Sequence, residues 1–157
     1  MRRIETLLAS LNAADVRYVV IGATAFAVHG WVRATADLDL FVDDDPANLE
    51  RLRRTLREFG YDVEDASVED FGRFKILLRQ YELPLDLHPF VTGVSSFEDV
   101  WARRVEADLG SVRAPFASLD DLIGMKRAAN RPKDREDLRQ LERLRAGGRP
   151  EESDVGH

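Results

Sequence analysis

Residues 19–42, VVIGATAFAVHGWVRATADLDLFV, restrict the possible folds of this chain more than any other stretch. An apolar run, Val19-Val20-Ile21, stops at Gly22, and an Ala-rich segment follows from Ala23 to His29. After Gly30 the chain returns as Ala36-Asp37-Leu38-Asp39-Leu40-Phe41-Val42, in which acids and apolar residues alternate. The pattern predicts a strand, a short helix and a second strand. Side chains on a strand point to opposite faces in turn, so Asp37 and Asp39 are expected on one face and Leu38 and Leu40 in the core. Aspartate is a poor strand former, and two of them on an otherwise apolar strand need a reason. Paired carboxylates beside a helix N-terminus supply one, since magnesium takes hard oxygen ligands, commonly one or two carboxylates plus substrate phosphates. The backbone N–H groups of Gly22, Ala23 and Thr24 would lack intrahelical partners and so be free to meet a phosphate.

The flanking segments read as an alternation of helices and strands. Residues 2–13 place Ile4, Leu7, Leu8 and Leu11 on one helical face, and Val16–Ile21 predicts the first strand. Asp45 and Pro46 suit the N-cap and first position of a helix that runs to Phe59 and stops at Gly60, with Leu49, Leu52, Leu56 and Phe59 inside. Tyr61–Val63 predicts a short edge strand, and residues 64–70 a loop or a single helical turn. Phe74–Leu78 and Leu83–His88 predict a hairpin around Arg79-Gln80-Tyr81-Glu82. Asp86 is a lone acid between Leu85 and Leu87. A strand carrying it beside the Asp37-Asp39 strand would bring three carboxylates to one face.

Phe97–Trp101 suggests a short helix, and Val105–Ala114, turning at Leu109-Gly110-Ser111, a small peripheral hairpin. Ser118 caps a helix whose inner stripe is Leu119, Leu122 and Ile123. Lys126 continues that stripe, and either snorkels to water or points at an anion in a cleft. After Arg131-Pro132 a last helix turns Leu138, Leu141 and Leu144 inward, and residues 148–157 are expected to form a disordered tail. The whole predicts one α/β (α+β) domain over residues 1–147, with a mixed central sheet flanked by helices and a helical C-terminus.

At 157 residues the chain can bury a full core. It has no cysteine, which excludes disulfides, thiolate metal sites and a cysteine nucleophile. Nothing near Met1 resembles a secretory signal and no apolar run approaches the roughly 20 residues of a membrane span, so a cytoplasmic protein with no membrane role is expected. The net charge of -6 is unevenly distributed: residues 126–149 hold nine basic side chains against four acidic ones. A basic C-terminal helix suits a nucleotide, a nucleic acid or an acidic partner, or is a solvated helix carrying its own ion pairs. His29 reads as a packing or capping residue, Trp31 as core, and His88, which shares the face of Asp86, as support for the acids.

These residues also carry a family resemblance. Ile21-Gly22-Ala23, thirteen intervening residues, Asp37-Leu38-Asp39-Leu40 and a later Leu85-Asp86-Leu87 resemble the signature of the DNA polymerase β-like nucleotidyltransferase superfamily. The small bacterial members are the most similar, namely the lincosamide-type antibiotic nucleotidyltransferases and the nucleotidyltransferases of toxin–antitoxin systems. The segments 118–126 and 131–137 resemble the helical end of the latter. Ala23 departs from the pattern, which has glycine or serine there; Thr24 offers a hydroxyl one position on.

The resemblance implies the nucleotidyltransferase fold and transfer of a nucleoside monophosphate, AMP from ATP, to a hydroxyl of a partner protein, an RNA end or a small molecule. Asp37 and Asp39 would hold two Mg2+ ions, with Mn2+ as a substitute, roughly 4 Å apart. Asp86 would complete the second metal site and take the acceptor's proton. Gly22, Ala23, Thr24, Arg33 and Lys126 would meet the nucleotide. A short chain of this kind calls for a homodimer with a shared cleft or a separate partner that supplies the acceptor. The alternative is a nucleotidyltransferase fold without turnover, serving as the binding half of a toxin–antitoxin or regulatory pair.

Overall fold

Gly22 interrupts the first strand with a backbone conformation, φ +71°, that other residues rarely adopt, and the chain folds around that break. The computed structural model describes residues 2–79 and 82–149. Helix α1 (Arg2–Ala13) buries Leu7, Leu8 and Leu11 completely. Strand β1 (Tyr18–Ile21) is buried along its length. It starts two residues later than the apolar run suggests, because the Asn48 side chain takes both backbone groups of Arg17, at 2.7 and 3.0 Å. Beyond Gly22 come a four-residue helix α2 (Ala23–Phe26) and a 3-10 turn (Ala27–His29) that ends at the left-handed Gly30.

Strand β2 spans Leu38–Val42. The expectation that it would begin at Ala36 is corrected: Asp37 lies in the bend before the strand, where the Thr35 hydroxyl donates to its carbonyl at 3.1 Å. Helix α3 (Pro46–Phe59) has Asp45 at its N-cap without a side-chain hydrogen bond; the Asp43 carboxylate accepts from the Asp45 amide instead. Residues Tyr61 and Val63 are buried but form no strand. The Tyr61 hydroxyl donates to the Leu83 carbonyl and Arg53 donates to the carbonyls of Val63 and Ala66, so side chains pin this segment where a ladder was expected. The helical turn that follows is α4 (Val68–Arg73), closed by a reciprocal Ser67 and Asp70 capping box.

The remaining elements are β3 (Ile76–Leu78), β4 (Leu85–His88), α5 (Phe97–Ala102), β5 (Val105–Leu109), β6 (Val112–Phe116), α6 (Leu119–Ala129) and α7 (Pro132–Arg145). The turn of the β3–β4 hairpin includes Gln80 and Tyr81, and the expected tail includes residues 150–157; both lie outside the described residues. The fold is a mixed α/β arrangement, a six-stranded sheet in the order β3-β4-β2-β1-β6-β5 flanked by helices and followed by a helical C-terminus. The β5–β6 hairpin lies at one end of the sheet, and it is joined to the main sheet: β6 pairs in parallel with β1 through Val20 and Phe116, and β5 forms that edge.

Two pairings position the site. Strand β2 runs antiparallel to β1, with Ile21 opposite Asp39, and parallel to β4, with Asp39 opposite Asp86. Both acids therefore sit near the starts of their strands, beside the end of β1. Leu38, Leu40, Leu85 and Leu87 are fully buried, and this burial locks the register, since a slip by one residue would turn them out and the acids in.

No described helix is long and apolar enough to cross a membrane.

Candidate functional site

The geometry begins at the end of β1. A β-carbon on Gly22 would come within 2.7 Å of Asp39 Oδ2, so glycine is required here by space as well as by its positive φ. The short turn of α2 is thereby brought against the Asp39 carboxylate. Ala23 is buried, and Thr24 is buried with its hydroxyl lacking any hydrogen-bond partner. That hydroxyl points into protein, so the surface that α2 presents to a ligand is its backbone.

Asp39 and Asp86 are neighbours across the parallel ladder. His88, two residues beyond Asp86, places Nε2 2.9 Å from Asp39 Oδ1 and holds that carboxylate in orientation. Asp37 approaches from the bend before β2. It joins Asp86 through Arg79, whose Nη1 stands 3.4 Å from Asp37 Oδ2 while Nη2 donates to both oxygens of Asp86 at 3.0 Å. Only 7% of the Asp86 side chain is exposed. Burial and the neighbouring Asp39 charge push its carboxyl above the ordinary aspartate range; Arg79 and Lys75 act the other way, and Asp37 adds to the rise.

Of the three acids, Asp39 lines a cleft of about 390 Å³. Gly22, Asp39 and His88 lie on one side, Lys75, Lys126 and Arg131 contribute positive charge, and Phe90, Leu122 and Met125 supply apolar wall. Arg131 is held in its charged form first by its hydrogen bond to Asp134 and also by the charge of Asp39.

Lys126 reaches the cleft with its amino group already engaged. Nζ lies 3.1 Å from Asp134 and 3.0 Å from Asp137, above the Phe26 ring. Arg33 pairs with Asp137 at 3.2 Å. The inner face of α7 accordingly consists of Asp134, Asp137, Gln140 and Leu141, while Leu138 and Leu144 are only partly buried. On this helix Arg139 pairs with Glu136 and Arg145 with Asp120 of α6, while Glu142 pairs with Arg127 of α6. Trp31 stacks on Phe26 at 5.2 Å, and His29 bonds to the Ala117 carbonyl at 2.8 Å, away from the acids.

Sequence reasoning missed Arg79, Lys75 and Arg131. For Arg79 a signal existed: Leu77 pairs with Asp86, so the residue two beyond Leu77 falls on the same face as a diagonal neighbour. Arg131 and Lys75 arrive through tertiary packing that no local pattern announces.

The described residues contain no group of three His, Asp or Glu side chains arranged to enclose a metal ion. The donor chemistry nevertheless fits a hard divalent cation. Asp39 and Asp86 are adjacent carboxylates, and magnesium needs only one or two protein carboxylates when phosphates complete its shell.

A mixed sheet with acids at the starts of two adjacent parallel strands, next to a glycine that ends a third, is consistent with a nucleotidyltransferase-like fold. The chain belongs to the family described as "Nucleotidyltransferase of unknown function (DUF6036)", which matches residues 2–144. No curated protein matches the chain closely enough to add to that assignment.

Proposed function

We propose that this protein is a metal-dependent nucleotidyltransferase that moves a nucleoside monophosphate, AMP from ATP, to a hydroxyl group. The observation that carries the reading is the in-register pair Asp39 and Asp86, of which Asp39 lies against Gly22 and lines a cleft with basic walls. Magnesium or manganese, when bound, would supply Lewis-acid stabilisation of the charge that develops on the phosphoryl oxygens. Asp39 and Asp86 would hold it, with Asp37 as a further carboxylate. His88 fixes the orientation of Asp39, and Gly22, having no side chain, lets the Asp39 carboxylate lie directly against the end of β1. Lys75 and Arg131 lower the cost of bringing a triphosphate beside three acids. Asp86, with its raised carboxyl pKa, is suited to accept the acceptor's proton.

The acceptor is a partner protein, an RNA end or a small molecule, and a toxin–antitoxin setting accommodates the first two. Incubation with labelled nucleoside triphosphates and Mg2+ or Mn2+ is expected to label an acceptor or the chain itself. Asp39→Ala should reduce that signal about 100-fold or more. Labelling unchanged in Asp39→Ala, or no release of pyrophosphate with any nucleotide, would overturn the proposal.

A second reading, a binding protein without turnover, draws on Ala23 in the glycine motif and on the buried Thr24 hydroxyl. It predicts co-purification with a partner protein that is unaffected by Asp39→Ala.

A further inference from the structure

Arg79 bridges Asp86 and Asp37. Its Nη2 bonds both oxygens of Asp86 at 3.0 Å, and its Nη1 faces Asp37 at 3.4 Å, so one planar cation links acids from two separate segments. The attachment is lopsided. The Asp86 side chain is 7% exposed and that of Arg79 49%, which means the arginine can leave for water while the aspartate cannot. Arg79 directly follows β3, so its withdrawal breaks no pairing of the β3–β4 ladder. A forked guanidinium on Asp86 and a divalent ion want the same oxygen lone pairs, and two cations that close repel.

We propose that Arg79 is the resident counter-ion of this cluster, and that the Arg79 guanidinium and a divalent cation occupy the Asp86 and Asp37 carboxylates in mutual exclusion. The inference rests on the metal-dependent reading above and goes past it, because it makes a side chain just after β3 the determinant of metal affinity. While Arg79 is seated, the three acids stay together without an ion; when the ion enters, Arg79 is released to solvent.

The test is binding of Mn2+ to the full chain without nucleotide, followed by electron paramagnetic resonance of the free ion. Wild type, Arg79→Gln, Arg79→Lys and Asp86→Asn would be compared, with thermal melts of each. Arg79→Gln should bind Mn2+ about tenfold more tightly than wild type, and Arg79→Lys, which keeps the charge but loses the fork, should fall between them. Asp86→Asn should bind least. The Arg79→Gln protein should also melt lower than wild type without metal and show the larger upward shift when Mn2+ is added. Equal or weaker binding by Arg79→Gln would overturn the proposal while leaving the metal reading in place. Absence of Mn2+ binding by every protein would overturn both. If Arg79→Gln does not fold, Arg79→Lys decides, and binding no tighter than wild type would overturn the proposal.

Discussion

At the α6–α7 contact, Asp134 and Asp137 are met by Lys126, Arg131 and Arg33, whereas beside β2 and β4 Asp37 and Asp86 share one arginine, Arg79, and Asp39 is held by His88. Both groups contain carboxylates that are almost wholly buried. Burial works against the charged form of Asp134, yet hydrogen bonds from Arg131 and Lys126 hold its carboxyl well below the usual range. Asp86 is moved in the opposite direction, by burial and by Asp39. The contrast separates a cluster whose hydrogen-bonded cations overcome burial from one, proposed as the functional site, in which burial and a neighbouring acid outweigh the cations present.

The largest effect is expected from Asp134→Ala, which deletes the hydrogen-bonded partner of Arg131 and one of the two carboxylates on Lys126. It should cost about 3 kcal/mol of stability in urea unfolding, since several charge-assisted hydrogen bonds are lost together at a buried position. A loss no greater than that of a surface substitution would break the comparison.

Acid should sharpen it. The folded pKa of Asp134 is depressed, so its contribution is complete above the unfolded value of about 3.9 and is lost as pH falls below that toward the folded value. The folded pKa of Asp86 is raised, so its cost is present above that raised value and is relieved as pH falls through it toward about 3.9. Urea midpoints taken between neutral pH and pH 3 should therefore stay level or rise slightly at first and then drop. The late drop should be shallower in Asp134→Asn, and an equally steep one would count against the assignment.

The smallest effect is expected from Asp39→Asn, which keeps shape and a hydrogen bond for His88 but removes a charge directly opposite Asp86. It should raise the neutral-pH stability of the metal-free protein by about 0.5 kcal/mol. Destabilisation on the scale of Asp134→Ala would erase the distinction between the two clusters.

Much of this site was legible because it follows from the two-residue period of strands. Alternation placed Asp39 and Asp86 opposite the buried leucines, and the family signature placed them near Gly22. Asp37 was misread as a strand residue, since its own pattern is perfect and only the contact of Leu38 N–H with the Pro84 carbonyl, together with the Thr35 turn, marks the true strand start. The attachment of β6 to β1 rests on Val20 meeting Phe116, a pairing between distant residues that no local periodicity encodes. Helix α7 was read through its leucines. Its buried face is largely polar because the matching cations come from Arg33 and Lys126, outside the helix, and from Arg131 at its N-cap.

The parallel ladder between β2 and β4 works as a ruler. Neighbouring strands lie about 4.8 Å apart whatever side chains they bear, so the spacing of Asp39 and Asp86 is a property of the backbone. The cleft walls, by contrast, come from α6 and the loop after β4, whose side chains do not enter that measurement. Variants that reshape the walls can therefore change what the cleft admits while the distance between its two central acids stays unaltered.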